Sequence, residues 1–405
     1  MRRRFAPAAL VVCLLLAAQA LWPGAATART AGLATRVAGA MAIAGGASGA
    51  WIADADTGSR LYSYRSNLRR TPASVEKLFT AAAALDRMGA DARFETAALM
   101  NGQLAEDGEL AGDLYIKGYG DPSFDRSALT RLAGGVLDAG VFDVSGRLFG
   151  DDSYFDPLRG PPSSAFSISQ WVGPLSALTL HGGPTPSRSL MADPPRLAAT
   201  RFRAALRSQG VVGLRAKARS GAAPLGAPKI ASVWSPPLSS LIRHMNRISD
   251  NFYAEMLLKA LGARFRAAGT SAAGAAVVAR FQRTIGVSAR VVDGSGLSRL
   301  DAVSPGGVGR LLVWATAQPW FETFRRSLPA AGREGTLRRR MRHTAAAGRC
   351  RAKTGTLIGV SALAGYCESA GGRTIAFALL MNAVSIARAH VAQDRIAAIL
   401  ASFRG

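Results

Sequence analysis

The chain has 405 residues, 49% of them hydrophobic, and this composition favours a packed globule of two or three domains over a disordered chain. Its net charge of +24 comes with 44 arginines and only six lysines, and it either attracts the protein to an acidic polymer or surface or reflects compositional drift. The basic residues form no long run with interleaved aromatics, so no motif supports a nucleic-acid partner.

The N-terminus has the pattern of a secretory signal peptide. A basic stretch, Arg2–Arg4, precedes an almost wholly apolar segment at residues 5–22, and Ala26-Thr27-Ala28 is a small-residue cleavage pattern. We expect residues 1–28 to be removed during export to the periplasm or the exterior. The alternative is that the apolar segment anchors the protein in a membrane.

The next segment predicts a hairpin and a helix. Residues 50–65 alternate around a turn at Asp56–Ser59, which is typical of a β-hairpin. A helix is predicted to follow, with Thr71 as its cap, Pro72 in its first turn and Gly89 at its end.

From about residue 95 the pattern changes to short strands, turns and helices. Residues 156–195 are rich in Pro, Gly and Ser and predict mostly loop, and residues 218–229 predict a linker or exposed loop. The regular elements predicted here are a strand at Gly112–Lys117, a helix near Asp125–Gly140, a strand at Val141–Phe149 and a helix at Asp193–Gly210.

The last part of the chain predicts a helical stretch followed by strands. The predicted elements are helices at Pro236–Ile248, Asn251–Leu261 and Ala272–Ile285, a hairpin of Arg351–Leu357 and Ser361–Tyr366, a strand at Arg373–Met381 and a helix near Ile386–Phe403.

Two cysteines, Cys350 and Cys367, flank the predicted hairpin. If the turn centres between Ile358 and Gly359, the two lie opposite each other, and they form either a cross-strand disulfide or two small buried thiols. The four histidines match no metal-ligand spacing, so we predict no metal site and no cofactor: His181, His244, His343 and His390.

The first chemical motif is Ser74-Val75-Glu76-Lys77 in the predicted helix. Residues three apart share a helix face, so the hydroxyl and the amine can touch. A serine is a weak nucleophile until a base takes its proton, and a lysine can be that base if burial or a second cation lowers its pKa. The alternative is a solvated serine beside a surface lysine.

The second motif, Ser249-Asp250-Asn251, lies between two predicted helices. Ser249 can relay a proton to a leaving amine beside Lys77, and the Asn251 amide can bind a substrate backbone. The alternative is simple helix capping, which these residue types also do well.

The third motif, Lys353-Thr354-Gly355-Thr356, lies on a predicted strand. Lys353 can attract a substrate carboxylate, and the hydroxyls of Thr354 and Thr356 can hydrogen-bond it. Gly355 lets a substrate backbone lie close. The N–H of Thr356 can join that of Ser74 as an oxyanion hole. The alternative is an ordinary strand whose lysine reaches solvent.

In this order the three motifs resemble the set of the penicillin-binding and serine β-lactamase class. Nearly the whole mature chain resembles the D-alanyl-D-alanine carboxypeptidase/endopeptidase family typified by penicillin-binding protein 4. Beyond the motifs, the matching segments are Pro72–Leu85, Gly118–Ser123, Gly150–Phe155, Pro174–Leu178, Ser235–Glu255, Asp293–Ser298, Ser327–Pro329, Gly335–Leu337 and Arg351–Tyr366.

The resemblance implies an α+β fold with a transpeptidase-like domain, a five-stranded antiparallel sheet flanked by helices, at residues 29–94 and 233–405. An inserted α/β domain at 95–232 would separate the first two motifs. The family usually has a second insert nested in the first; here only Gly183–Asp193 occupies that place, so we expect it to be absent or reduced to a loop.

The resemblance also implies roles for the site residues. Ser74 would be acylated, Lys77 would be the base, and Ser249 would relay protons. Asn251 would hold the substrate amide. The terminal carboxylate and carbonyl would be recognised by the third motif, with Lys353, Thr354 and Thr356 as its polar members.

The implied substrates are peptidoglycan stem peptides and the implied inhibitors are β-lactams, for a wall-associated protein with peripheral attraction to an anionic envelope. One alternative is a β-lactamase or esterase of the same fold. The segment after Asn251 has no E-x-x-x-N-like string to position a deacylating water, so we expect penicillin to give a long-lived acyl-enzyme. Another alternative is a non-catalytic wall-binding protein.

Overall fold

The structure, a computed structural model, describes residues 23–180 and 192–405, which form two β-sheets with flanking helices. The strands are β1 (Ala47–Asp54), β2 (Arg60–Tyr64), β3 (Glu95–Leu104), β4 (Glu109–Gly118), β5 (Asp143–Val144), β6 (Leu148–Asp151), β7 (Val212–Gly213), β8 (Arg219–Ser220), β9 (Lys229–Trp234), β10 (Cys350–Leu357), β11 (Val360–Glu368) and β12 (Thr374–Asn382).

Ten α-helices belong to the same described ranges, together with short 3₁₀ turns at Ala73–Glu76, Pro162–Ser164 and Gly335–Leu337. The helices are α1 (Pro23–Ala44), α2 (Lys77–Met88), α3 (Arg126–Asp138), α4 (Pro194–Ser208), α5 (Leu238–Ile248), α6 (Asn251–Arg266), α7 (Ser271–Thr284), α8 (Pro305–Thr316), α9 (Phe321–Ser327) and α10 (Ile386–Ala401).

The first sheet has the order β10-β11-β12-β1-β2, and every neighbouring pair is antiparallel. This confirms the predicted five-stranded antiparallel sheet. Successive strand residues point to opposite faces, so β12 splits its apolar side chains between two cores. Ala376 and Leu380 pack with the α2 and α5–α8 side, whereas Phe377 and Leu379 pack with α1 and α10.

The second sheet lies between the first two motifs in sequence and has seven strands of mixed direction. Its β3 and β4 form an antiparallel hairpin, and β5 and β6 join β4 in parallel. Helices α3 and α4 cover it through a separate core that includes Leu132, Val136 and Phe202. The segment between Ser74 and Ser249 thus contains the α/β unit that the resemblance implied.

The N-terminal predictions fall only partly within the described residues. Most of the predicted signal peptide, residues 1–22, and most of the predicted loop at Gly183–Asp193 lie outside them. The predicted cleavage pattern at 26–28 lies in the first turns of α1, a helix for which the sequence analysis made no prediction. Within the described ranges, no helix combines the length and apolar character needed to span a membrane.

Two local predictions were wrong. The predicted strand at 141–149 is two short strands, because the chain turns at Gly146, whose missing Cβ would stand 2.2 Å from the Gly112 carbonyl oxygen. Thr71 does not cap α2: its hydroxyl donates to the Arg299 carbonyl, and Pro72 precedes the 3₁₀ turn that starts the helix.

The predicted hairpin at the third motif is confirmed. The register pairs Leu357 with Val360 across the turn and Cys350 with Cys367 at the far end. The two cysteines form a disulfide, the first of the two alternatives.

Candidate active site

Ser74 sits at a sharp entry into α2. The 3₁₀ turn Ala73–Glu76 precedes the helix, and Ala73 adopts a left-handed φ of 48°. An alanine in that conformation costs about 1–2 kcal/mol, and such strain persists only where the surroundings impose it. The turn leaves Ser74 partly exposed while Val75 and Glu76 are buried.

Lys77 is fully buried and makes three hydrogen bonds through Nζ. It lies 3.0 Å from Ser74 Oγ, 2.7 Å from Asn251 Oδ1 and 2.7 Å from the Ser295 carbonyl oxygen. As an ammonium it donates to all three. As a neutral amine it can donate to the amide and the carbonyl while its lone pair accepts the Ser74 proton.

Burial lowers the pKa of Lys77 to about 8, although nearby carboxylates, with Asp293 first among them, oppose the shift. At pH 7 about a tenth of Lys77 is therefore neutral, far more than for a lysine with the ordinary pKa. That is the protonation state that a general base needs.

The second motif is placed by a helix junction. Ser249 ends α5 in a left-handed conformation with a φ of 62°. Asp250 caps α6 by accepting from the Tyr253 N–H, so capping falls to Asp250 and not to its neighbours. Asn251 contacts Lys77 through Oδ1 and donates through Nδ2 to the Trp171 carbonyl at 3.1 Å.

Lys353 is also fully buried, and its Nζ lies 2.7 Å from Ser249 Oγ and 2.9 Å from the Thr354 carbonyl oxygen. Burial, and then the charge of Lys77, hold its pKa well below the ordinary lysine value. Each motif serine therefore has its own lysine, and the two lysines repel each other.

Gly355 packs against the nucleophile turn. A Cβ at this position would stand 2.7 Å from the Pro72 carbonyl oxygen and 3.1 Å from Ser74 N. The space that the sequence analysis assigned to a substrate backbone is thus taken by the turn of Ser74 itself. The glycine is what brings β10 close to the Ser74 amide.

These elements surround one cleft of about 260 Å³. Its lining residues are Ser74, Ser249, Thr336, Arg340, Thr354, Thr356 and His390. Lys77 and Lys353 contact the two serines, and Asn251 contacts Lys77. All of the residues predicted from the three motifs therefore lie in or directly against one site.

Several neighbours were missed by sequence reasoning. Thr336 Oγ1 lies 2.8 Å from Thr354 Oγ1 and adds a further hydroxyl to the wall of the cleft. Arg340 holds Asp394 and lines the same wall as His390, whose pKa is lowered by burial and then by Arg340. The sequence pointed to this region only through Gly335–Leu337, one of the segments that resemble the family, and it assigned that segment no chemical role.

In the described ranges, no group of three or more His, Cys, Asp or Glu side chains is arranged to hold a metal ion. Of the four histidines for which the sequence predicted no metal role, His244 places Nε2 3.1 Å from Asp250 Oδ2, and His181 lies outside the described residues.

Comparison with known proteins gives consistent matches. The family model for the D-Ala-D-Ala carboxypeptidase 3 (S13) family matches residues 30–188 and 176–403. A D-alanyl-D-alanine carboxypeptidase from an Actinomadura species is 32% identical, with 90% of this chain and 83% of that protein covered. Carboxypeptidase DacB of Mycolicibacterium smegmatis is also 32% identical, over 92% of this chain and 84% of that protein.

A solved structure has the same fold. Penicillin binding protein 4 from Haemophilus influenzae superimposes with a TM-score of 0.77 over 89% of this chain and 97% of that chain, at 22% sequence identity. A second structure of that protein, complexed with a novel β-lactam, gives a TM-score of 0.71 at the same identity and the same coverage.

Proposed function

The chain belongs to the D-Ala-D-Ala carboxypeptidase 3 (S13) family, and we propose that it is a penicillin-sensitive serine peptidase that removes D-alanine from peptidoglycan stem peptides. The observation that carries the proposal is the pairing of Lys77 Nζ with Ser74 Oγ at 3.0 Å in the cleft that also holds the Lys353–Ser249 pair.

Acylation begins with proton transfer from Ser74 Oγ to neutral Lys77. Asn251 Oδ1 and the Ser295 carbonyl occupy the two remaining N–H groups, so the lone pair points at the nucleophile. Ser74 Oγ then bonds to the carbonyl carbon of the D-Ala-D-Ala peptide. The resulting oxyanion is stabilised by the N–H groups of Ser74 and Thr356, which the close approach of Gly355 brings together.

The leaving D-alanine needs a proton on its amine. Ser249 can deliver one because its hydroxyl accepts a hydrogen bond from Lys353 Nζ at 2.7 Å, so that the lysine can replace the proton. The hydroxyls of Thr354 and Thr356 face the cleft and bind the terminal carboxylate, whose charge favours the protonated form of the buried Lys353. A water then hydrolyses the acyl-enzyme. The cross-linked peptide bond would be cut by the same steps.

The β-lactamase alternative is not favoured. The lining residues of the cleft are hydroxyls, a guanidinium and an imidazole, and none of those described is a carboxylate that could activate water against a penicilloyl ester. Penicillin should therefore stay on Ser74 for a long time.

We further propose the domain division and the location. Residues 29–94 and 233–405 would form the catalytic domain, which holds the first sheet and all three motifs, and 95–232 would form the insert. Cleavage after Ala28 would leave the buried side of α1, from Leu33 onward, intact on an exported protein. The Cys350–Cys367 disulfide suits an oxidising compartment.

Attraction to an anionic envelope also has a candidate location. A cavity of about 630 Å³ beside edge strand β2 is lined by Arg60, Arg69 and Arg310, with Trp51 and Trp314, and by no carboxylate among its described lining residues. Replacing the three arginines with glutamine should weaken retention on a phosphate-bearing polymer at low salt and leave penicillin labelling unchanged. Equal retention of the variant and of wild type would contradict the proposal that this cavity attracts the protein to an anionic envelope.

The main test is labelling with a fluorescent penicillin followed by mass spectrometry of the modified peptide. Wild type and Ser208→Ala, a control on the exposed end of α4, should be labelled at Ser74, whereas Ser74→Ala should not be labelled. Labelling elsewhere, or rapid penicillin turnover relative to hydrolysis of a D-Ala-D-Ala peptide, would overturn the proposed function.

A further inference from the structure

A turn formed by Asp293–Ser298, here the DGSG turn, lies beneath Lys77 and outside the three motifs. Its Ser295 carbonyl accepts from Lys77 Nζ at 2.7 Å, and its Gly294 carbonyl accepts from Thr80 Oγ1 at 2.9 Å. Gly296 has a φ of +78°, and a Cβ there would stand 1.9 Å from the Ala73 carbonyl oxygen. The turn therefore touches both the base and the segment that carries the nucleophile.

Two buried carboxyl groups hold this turn from inside. Asp293 accepts from the N–H of Gly296 through Oδ1 and from the N–H of Ser298 through Oδ2, both at 2.7 Å. Glu255 Oε1 on α6 accepts from the N–H of Gly294 at 3.1 Å and of Ser295 at 2.9 Å. Four backbone amides are thereby held, and the Ser295 carbonyl of the same turn points to Lys77.

Asp293 is the centre of this cluster. Both of its oxygens accept backbone N–H groups, and its carboxylate is the first of the charges that raise the pKa of Lys77. Burial and the neighbouring Asp293 raise the pKa of Asp301 to about 11 and that of Glu76 well above its usual range, so these two stay neutral. The same causes raise the pKa of Glu255 to about 8.

We propose that Asp293 is a positioning residue for acylation: it holds the DGSG turn so that the Ser295 carbonyl fixes the Lys77 amine beside Ser74. Its charge also favours the protonated form of that amine, against the larger effect of burial. The inference rests on the proposed role of Lys77 as the base. The carboxyl groups that raise the pKa of Lys77 come from several elements: Asp293 and Asp301 around the DGSG turn, Glu255 on α6 and Asp250 at the cap of α6. Glu76 before α2 and Lys353 on β10 are the other buried titratable groups of this site.

The test compares Asp293→Asn with Asp151→Asn. Asp151 is a matched control: it is also fully buried and accepts two backbone N–H groups, from Ser153 at 2.8 Å and Ala223 at 2.9 Å, but lies on β6 of the second sheet. The measurement is the rate of acylation by a fluorescent penicillin between about pH 5.5 and pH 10, with the melting temperature of each variant.

Removing the Asp293 charge should ease deprotonation of Lys77, so the acid limb of the profile should move toward lower pH. The comparison is made in the Glu255→Gln background, because Glu255 could otherwise ionise in place of Asp293. The plateau should also fall about tenfold, because an asparagine amino group cannot accept from both turn amides. Asp151→Asn should lower the melting temperature and leave the limb where it is. A purely structural Asp293 would lower the plateau without moving the limb, and that result would overturn the inference.

Glu255 provides a second measurement that does not depend on how well Asp293→Asn folds. Glu255→Gln keeps the Oε1 acceptor and should acylate within about threefold of wild type at pH 7, whereas Glu255→Ala should lose about tenfold or more. Equal rates for the two variants would overturn the inference. Failure of wild type to label at Ser74 would instead overturn the proposed function, so the two failures are distinguishable.

Discussion

Replacing Gly355 with alanine will separate the β10 strand from the nucleophile turn. A Cβ there would stand 2.7 Å from the Pro72 carbonyl oxygen and 3.1 Å from Ser74 N, where ordinary contacts begin at 3.4 Å. Both neighbours are backbone atoms and cannot swing aside as a flexible side chain could. The strand and the turn must therefore move apart by about 0.7 Å.

This displacement has two separate costs. Overpacking of this kind reduces the free energy of unfolding by about 1–3 kcal/mol. A misplacement that approaches 1 Å costs on the order of 10²-fold in rate, so we expect acylation to be about 10- to 100-fold slower. The reason is geometric: Thr356 N moves away from Ser74 N, and the oxyanion loses one of its two donors.

The assay is stopped-flow acylation by a fluorescent penicillin, with unfolding in urea measured on the same samples. Gly39→Ala on α1 is the control, since a Cβ there would meet nothing within 4 Å. That variant should keep the wild-type rate and gain about 0.5–1 kcal/mol as a helical alanine. A folded Gly355→Ala protein that acylates at the wild-type rate would refute the reasoning.

Four further predictions concern Lys77, the disulfide and Thr336. Because burial lowers the pKa of Lys77 to about 8, the acylation rate should rise with pH and reach a plateau above about pH 8. A rate that keeps rising until about pH 10.5, the ordinary lysine pKa, would contradict this. In that window the unfolded chain binds more protons than the folded one, so this lysine should also make the protein more stable in urea unfolding as pH rises from 8 to 10.5. Changing Cys350 and Cys367 together to serine should cost about 3 kcal/mol in urea unfolding, because the disulfide closes a loop with a sequence separation of 17, yet penicillin labelling should persist. Thr336→Val removes the hydroxyl partner of Thr354 and should raise KM for a D-Ala-D-Ala peptide about fivefold with little change in kcat; an effect on kcat alone would exclude a binding role.

The sequence predicted the elements whose patterns are local. The hairpin of β10 and β11 followed from two short strand-like segments, Arg351–Leu357 and Ser361–Tyr366, on either side of Ile358 and Gly359. Its register pairs Cys350 with Cys367. The motif side chains were found because serine and lysine at this spacing have a chemistry of their own. Their convergence across 174 positions, from Lys77 to Asn251, needed the resemblance as well.

The contacts that sequence could not predict are mostly backbone contacts. The Ser295 carbonyl is 218 positions from Lys77, and nothing in the residue type of a serine says where its main-chain oxygen points. The Trp171 carbonyl on Asn251 is the same kind of case. Asp293 and Glu255 were missed for a different reason: carboxylates are usually solvated, and only their buried amide donors distinguish them.

The two buried lysines influence each other. Burial disfavours the charge on both Lys77 and Lys353, and the charge of Lys77 lowers the pKa of Lys353 further. If Thr354 and Thr356 hold the terminal carboxylate as proposed, its charge will favour a proton on the neighbouring Lys353. A proton there disfavours one on Lys77, so bound substrate would enlarge the neutral share of the base beside Ser74. Under the proposed function, recognition of the terminal carboxylate would in this way assist activation of the nucleophile.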